Sequence, residues 1–282
     1  MSDGDVLGAR PTSVELHSLA DRVQIAPSVF MPRLGIGTSH VVGADDVERE
    51  VLGGLEIGYR SVDTATSYGN EAEIGAALRK SGVAREELFV TTKVWPADQG
   101  YEGTLRAFDA SRSRLGLDYV DLYLIHWPEP SLTAQTWRAF EELYATGAVR
   151  AIGVSNFMKS DFAQLLETAN VTPAVNQIEF HPYLQRPELV EYCRSIGVTV
   201  EAWSPLMRGR ISTIRELRDI AEHHAKSVAQ VTLRWILQRG IVTVPKSTHQ
   251  DRLQENADIF DFALTSAEMD VIDALDRGEH ES

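Results

Sequence analysis

Two hydrophobic rhythms alternate along the chain. Short apolar runs end in small or polar residues, and each leads into a stretch with apolar positions at helical spacing. The runs are LGIGT, YRSVD, LFVTTK, YVDLYLIH, VRAIGVS, PAVNQIEF, VTVEAWS and IVTVPKS. The helical stretches cover residues 44–57, 71–80, 101–115, 134–146, 159–169, 187–196, 211–224, 228–238 and 250–256. Pro187 lies in the first turn of its helix, and Gly197 stops that helix. A last helix is expected over 266–275, opened by Ser266 and Glu268. Ahead of the first run, VQIAPSVFMPRLGIG reads as a short hairpin around Ala26-Pro27-Ser28.

Strict alternation of strands and helices implies parallel pairing. Eight such units in 282 residues fit a (β/α)8 barrel better than an open sheet. No linker or low-complexity stretch divides the chain, so residues 23–282 are expected to form one domain. Residues 1–22 read as a mobile polar extension.

Composition adds exclusions. A net charge of -14 argues against nucleic acid or an anionic membrane as the main partner. No apolar run approaches the ~20 residues that span a bilayer. The N-terminus has no apolar core of the kind a signal peptide needs. The single cysteine, Cys193, excludes an internal disulfide and reads as a small core residue. A cytoplasmic protein is expected, and a monomer, since no extended apolar surface stands out.

In such a barrel, function gathers at the C-terminal ends of the strands. The second run delivers Asp63 and then Tyr68, in GYRSVDTATSYGNE. The third delivers Lys93 and Trp95, and the fourth His126 and Trp127. Ser155 and Asn156 follow the fifth, and Asn176, Gln177 and Glu179 belong to the sixth. Trp203 and Ser204 end the seventh, Lys246 and Ser247 the eighth. Singly, each has an ordinary reading: Asp63 as a partner of Arg60, Lys93 as a solvated lysine, His126 as a core histidine. Together, an acid, a phenol, an ammonium and an imidazole at equivalent places in consecutive strands point to chemistry.

A phenol titrates near ~10, and a nearby ammonium lowers that value. A carboxylate holds the ammonium charged. Such a tyrosine can act as a general acid, and His126 can orient a carbonyl oxygen beside it. Protonating that oxygen is half of a reduction; the hydride must come from a nicotinamide cofactor. Leu34-Gly35-Ile36-Gly37 lacks the third glycine and the later acid of a dinucleotide fingerprint. VPKSTHQDRLQEN, residues 244–256, is the better phosphate site, through Lys246, Ser247 and the helix entry. Arg252 adds a planar guanidinium. Trp203 could stack on a flat ring, and Ser155, Asn156 and Gln177 suit a carboxamide. The His223-His224 pair has no third ligand nearby in sequence and reads as helix surface. No metal is expected.

GYRSVDTATSYGNEAEIG, LFVTTKVW, DLYLIHWP, IGVSNF, AVNQIEFHPY, AWSPL and VPKS with a following Arg and Glu-Asn resemble the aldo-keto reductases over residues 23–276. The nearest group in appearance is the bacterial diketogluconate- and methylglyoxal-reductase-like enzymes. The resemblance implies a barrel that binds NADPH without a Rossmann domain and reduces aldehydes and ketones. It makes Tyr68 the proton donor, with Lys93 and Asp63 tuning it and His126 orienting the carbonyl. It assigns the carboxamide to Ser155, Asn156 and Gln177, and nicotinamide stacking to Trp203. Thr38, Asp63, Ser204 and Leu206 join the cofactor site. Lys246, Ser247 and Arg252 face the adenosine 2′-phosphate, with Asn256 near the adenine. Trp95, Trp127 and His40 are pocket walls. Short connections after His126 and Trp203, and a short tail after Asp276, imply an open pocket. Small dicarbonyls, sugar-derived aldehydes and aromatic aldehydes are the expected substrates. Two other classes compete. One is a regulatory barrel that keeps the cofactor and turns over slowly. The other is a metal-dependent barrel hydrolase or isomerase, for which the mouth offers His126, Glu179 and few others.

Overall fold

The computed structural model describes residues 14–39, 41 and 43–280. An antiparallel hairpin comes first, β1 (Arg22–Ala26) and β2 (Val29–Pro32). Eight strands follow: β3 (Ile36–Gly37), β4 (Ser61–Asp63), β5 (Phe89–Val94), β6 (Val120–Ile125), β7 (Val149–Ser155), β8 (Val175–Glu179), β9 (Thr199–Trp203) and β10 (Val242–Thr243). Each pairs in parallel with the next, in chain order.

The sheet then closes on itself. Gly35 N donates to Thr243 O at 2.9 Å, Thr243 N to Arg33 O at 3.0 Å, and Gly37 N to Pro245 O at 3.1 Å. This seam explains the Gly-x-Gly of the first run. A Cβ on Gly37 would lie 2.6 Å from Val244 O, so only glycine lets the two backbones approach. The (β/α)8 expectation, with its N-terminal hairpin, holds.

The helices are α1 (Ala44–Ile57), α2 (Glu71–Ser81), α3 (Tyr101–Leu115), α4 (Thr133–Ala145), α5 (Lys159–Leu166), α6 (Pro187–Ser195), α7 (Arg215–His224), α8 (Val228–Gln238), α9 (Gln250–Ala257) and α10 (Ser266–Asp273). Two expectations need correction. Residues 211–224 are not one helix: a 3-10 segment, Met207–Thr213, precedes α7. Between them Ile214, at φ -80° and ψ 117°, is extended backbone that no α-helix accommodates. The cap of α10 is Thr265, one residue before the expected Ser266. Its hydroxyl accepts from Glu268 N while Glu268 Oε2 accepts from Thr265 N, a reciprocal capping box.

Side chains alternate across the strands. One set, including Val62, Val90, Tyr123, Ile152, Ile178 and Val200, packs outward against the helices. The other faces the barrel axis. On β5 it runs Phe89, Thr91, Lys93, from the N-terminal end to the mouth. Ile25, Val29 and Met31 of the hairpin pack on Phe89, Leu122, Leu124, Ala151, Val175 and Val242, closing the N-terminal end. Each such buried side chain contributes roughly 1.5–3 kcal/mol by transfer from water.

The extension expected over residues 1–22 is described only from Val14 onward. That part is packed. Leu16 is buried against Leu34, Ile36, Tyr59, Leu233 and Leu237, with Val14 and Leu19 beside it. Asp21 holds the turn through His17 N and Ser18 N.

Candidate active site

Small polar residues after β4 build the turn that presents Tyr68. Asp63 ends the strand, and Thr66–Tyr68 form a 3-10 turn closed by Gly69 at φ 67°. Thr66 Oγ1 donates to Lys93 O at 2.9 Å, tying the turn to β5. Thr64 Oγ1 donates to Asn70 Oδ1 at 2.8 Å, and Asn70 Nδ2 to Thr38 O at 3.0 Å. Thr38 is itself buried and donates to Asp63 O.

Lys93 reaches across to this turn. Its Nζ donates to Asp63 Oδ1 at 2.7 Å, to Asp63 Oδ2 at 2.8 Å and to Thr64 O at 2.9 Å. The same ammonium also hydrogen-bonds the Tyr68 side chain. Burial alone lowers the Lys93 pKa, but Asp63 and Tyr68 outweigh it, so the ammonium is held above its ordinary value. Asp63 thus pairs with Lys93; Arg60 instead bonds Leu55 O and Tyr59 O and approaches Glu87.

The Tyr68 ring centroid lies 5.2 Å from Lys93 Nζ and 5.7 Å, edge-on, from the His126 ring. Here the structure corrects one expectation. Burial raises the phenol pKa, and this exceeds the lowering by Lys93, so the net shift is upward. Tyr68 therefore keeps its proton at neutral pH, as an acid must before it acts. His126 moves the other way: burial, and then the Lys93 charge, lower it to about 3. The imidazole is neutral. Ser67 Oγ approaches its Nδ1 at 3.5 Å, and Trp95 packs edge-on at 5.1 Å.

A polar network lies behind this group. Gln177 Nε2 donates to Asp63 Oδ2 at 2.8 Å and to Glu201 Oε2 at 2.7 Å. Ser155 Oγ donates to Gln177 O at 2.9 Å. Asn156, at φ 63°, donates through Nδ2 to His126 O at 2.9 Å and to Ser155 Oγ at 3.0 Å. Its Oδ1 accepts from Trp203 Nε1 at 3.0 Å, which pins the indole at the mouth. Ser204, the next residue, takes φ 54°.

Glu201 was not read as a site residue from sequence. It is fully buried, and burial, with Asp63 beside it, raises its pKa. A carboxylic acid that stays protonated at neutral pH can stand beside Asp63 without like-charge repulsion. Its signal was an acid inside an apolar run, VTVEAWS, at an inward position.

A second group forms at the end of β10 and along α9. Lys246 and Arg252 are exposed, while Ser247 and Asn256 are buried. Ser247 N donates to Glu50 Oε1 at 2.8 Å. Glu50, from α1, was also missed. Burial raises its pKa to about 8, against the lowering by Ser247 N and Lys246. Its signal was an acid three residues after Val47, on the apolar face of α1.

Residues 33–277 match the sequence profile of the Aldo/keto reductase family. The chain belongs to that family. It is 53% identical over 262 residues to a glyoxal reductase of Bacillus subtilis, covering 93% of this chain and 95% of the relative. It is 44% identical over 271 residues to a morphine 6-dehydrogenase of Pseudomonas putida, covering 91% of each. The crystal structure of a Bombyx mori aldo-keto reductase in complex with NADP superposes with a TM-score of 0.87. That protein is 32% identical, over 95% of both chains.

Within this aldo/keto reductase the side chains suit a nicotinamide dinucleotide. Ser155 and Asn156 spend their donors on one another and on backbone; what they retain is acceptor capacity, which a carboxamide NH2 can use. Trp203 offers a pinned aromatic face. Lys246 and Arg252 offer exposed positive charge, and Glu50, whose pKa burial raises to about 8, sits near Lys246. Leu206 is half-buried beside Trp203 and Ser204 in the chain.

Among the pocket residues, Trp95 and Trp127 are exposed at 39% and 42%. Gln99 Nε2 holds the Trp127 carbonyl at 2.7 Å. His40 lies outside the described residues. Glu179 is engaged: His280 Nδ1 lies 2.7 Å from its Oε2 and His181 Nε2 3.3 Å from its Oε1. Residues past Asp276 therefore fold back over the end of β8. Arg277 N and Glu279 N both donate to Tyr183 O, and the Arg277 guanidinium covers the Tyr183 ring. Among the described residues no helix is long and apolar enough to cross a membrane.

Proposed function

We propose that this chain reduces small aldehydes and ketones to alcohols with NADPH, with Tyr68 as proton donor. The observation that carries this reading is the buried Lys93–Asp63 pair, with the Tyr68 ring 5.2 Å from the ammonium and edge-on to His126. NADPH, when bound, supplies the hydride that adds to the carbonyl carbon.

The chain's own residues do the rest. His126, uncharged, hydrogen-bonds the carbonyl oxygen and fixes it near the phenol. Tyr68 gives its proton to that oxygen as negative charge develops there. Lys93 stabilises the phenolate left behind, and Asp63 keeps Lys93 charged. Gln177 and protonated Glu201 hold Asp63 in place. Trp203, Ser155, Asn156, Gln177, Thr38, Ser204 and Leu206 hold the nicotinamide end. Lys246, Ser247, Arg252 and Asn256 hold the adenosine 2′-phosphate end.

The substrate class follows the exposed Trp95 and Trp127, which leave the mouth open to small dicarbonyls, sugar-derived aldehydes and aromatic aldehydes. The glyoxal reductase at 53% identity supports the dicarbonyls. The net charge of -14 and the scattered exposed apolar side chains, Phe30, Met158 and Val271 among them, favour a cytoplasmic monomer. A steady-state survey of NADPH consumption over these three classes tests the reading. Turnover with at least one class is expected. Tight NADPH binding without turnover on any of them would instead identify a regulatory barrel.

A further inference from the structure

His223 and His224 end α7, and the fold brings them a third donor that the sequence conceals. Helix α7 packs against α10, and Glu268 in the first turn of α10 meets both rings. His223 Nδ1 and His224 Nε2 each lie 2.9 Å from the same oxygen, Glu268 Oε1. Neighbouring residues on a helix diverge by about 100°. They converge here because one ring presents Nδ1 and the other Nε2. The donor atoms of all three residues lie within 4.8 Å of one another.

We propose that His223, His224 and Glu268 form a binding site for a divalent transition-metal ion, best suited to Zn2+, that clamps α7 to α10. Two imidazoles and a carboxylate are a donor set that Zn2+ accepts in tetrahedral geometry. Bonds of about 2.1 Å place tetrahedral ligand atoms about 3.4 Å apart. The imidazole-to-carboxylate separations of 2.9 Å need to widen by only about half an ångström to reach that value. The carboxylate is already oriented: Glu268 Oε2 accepts from Thr265 N at 2.7 Å and from Thr265 Oγ1 at 2.9 Å. Such outer support is what fixes a metal-binding carboxylate. His223 is 72% exposed, whereas His224 and Glu268 are 15% and 13% exposed. The fourth position therefore opens to water. No residue of the barrel mouth lies on α7 or α10, so the ion's role is structural.

The same geometry would also serve as a pair of hydrogen bonds with no ion, and experiment separates the two. Metal-free full-length protein is titrated with Zn2+ by calorimetry and unfolded thermally with and without Zn2+. One ion per chain is expected, with a Tm that rises with Zn2+ concentration. His223→Ala alters only an exposed ring and should lose the Tm rise and on the order of tenfold or more in affinity. Glu268→Gln preserves the capping box, which accepts glutamine, yet removes the anionic ligand. It should lose the effect in parallel. Absence of binding, or equal binding to wild type and both variants, overturns the proposal.

Discussion

Lys93 Nζ is shared by both carboxylate oxygens of Asp63, at 2.7 and 2.8 Å, and the lysine has no exposed surface. Each charge is tolerable only because the other is there. Removing one partner of a buried pair costs on the order of 3–5 kcal/mol, while removing both costs less. Asp63→Asn and Lys93→Met should therefore each lower stability in urea unfolding, and the double variant should recover part of the loss. Strictly additive losses would show that the two charges are not coupled.

The second expectation concerns the proton. Tyr68→Phe removes the hydroxyl and keeps the ring against His126 and Lys93. Turnover should fall by roughly 10²–10⁴-fold, the contribution of a positioned general acid. NADPH binding, followed by protein fluorescence, should persist. A variant that retains wild-type turnover would move the proton donor elsewhere.

In the proposed reading, the exposed charges of Lys246 and Arg252 recognise the 2′-phosphate. Replacing both with alanine should reduce the preference for NADPH over NADH, measured as the ratio of kcat/KM values, on the order of tenfold. NADH efficiency should change little. Equal losses with both cofactors would instead indicate damage to the α9 region as a whole.

Buried Glu50 gives stability a definite pH slope. Its pKa is raised from 4.5 to about 8. Between those values the unfolded chain releases this proton and the folded protein keeps it. The group's contribution therefore falls as pH rises from about 4.5 to about 8. Ser247 N, Lys246 and Asp46 are the groups that act on it besides burial. Glu50→Gln should flatten that part of the urea-midpoint profile and stabilise the protein most at the alkaline end. An unchanged slope would mean that Glu50 is ionised in the fold.

Much of the architecture was legible because local signals agreed. α1, α3 and α8 begin and end where periodicity placed them; Gly58 and Gly116 stop the first two in the left-handed conformation. The break before α7 was hidden. Ile211, Ile214 and Leu217 are all buried at three-residue spacing, which a 3-10 turn and an α-helix satisfy alike. Asp63, Tyr68, Lys93 and His126 were readable as strand-end residues, and the fold brings them together. Glu201 and Glu50 were not, because an acid in an apolar pattern looks like an interruption until its partners are known. The joining of His223 and His224 with Glu268 depends on tertiary packing alone, across 44 residues of chain in the case of His224.

The hairpin of β1 and β2 has a consequence for molecular traffic. With Ile25, Val29 and Met31 covering one end, and Phe89, Leu122, Leu124 and Val242 packed beneath them, the barrel is a plug and not a conduit. Any molecule that reaches the strand ends must arrive and depart by the same face.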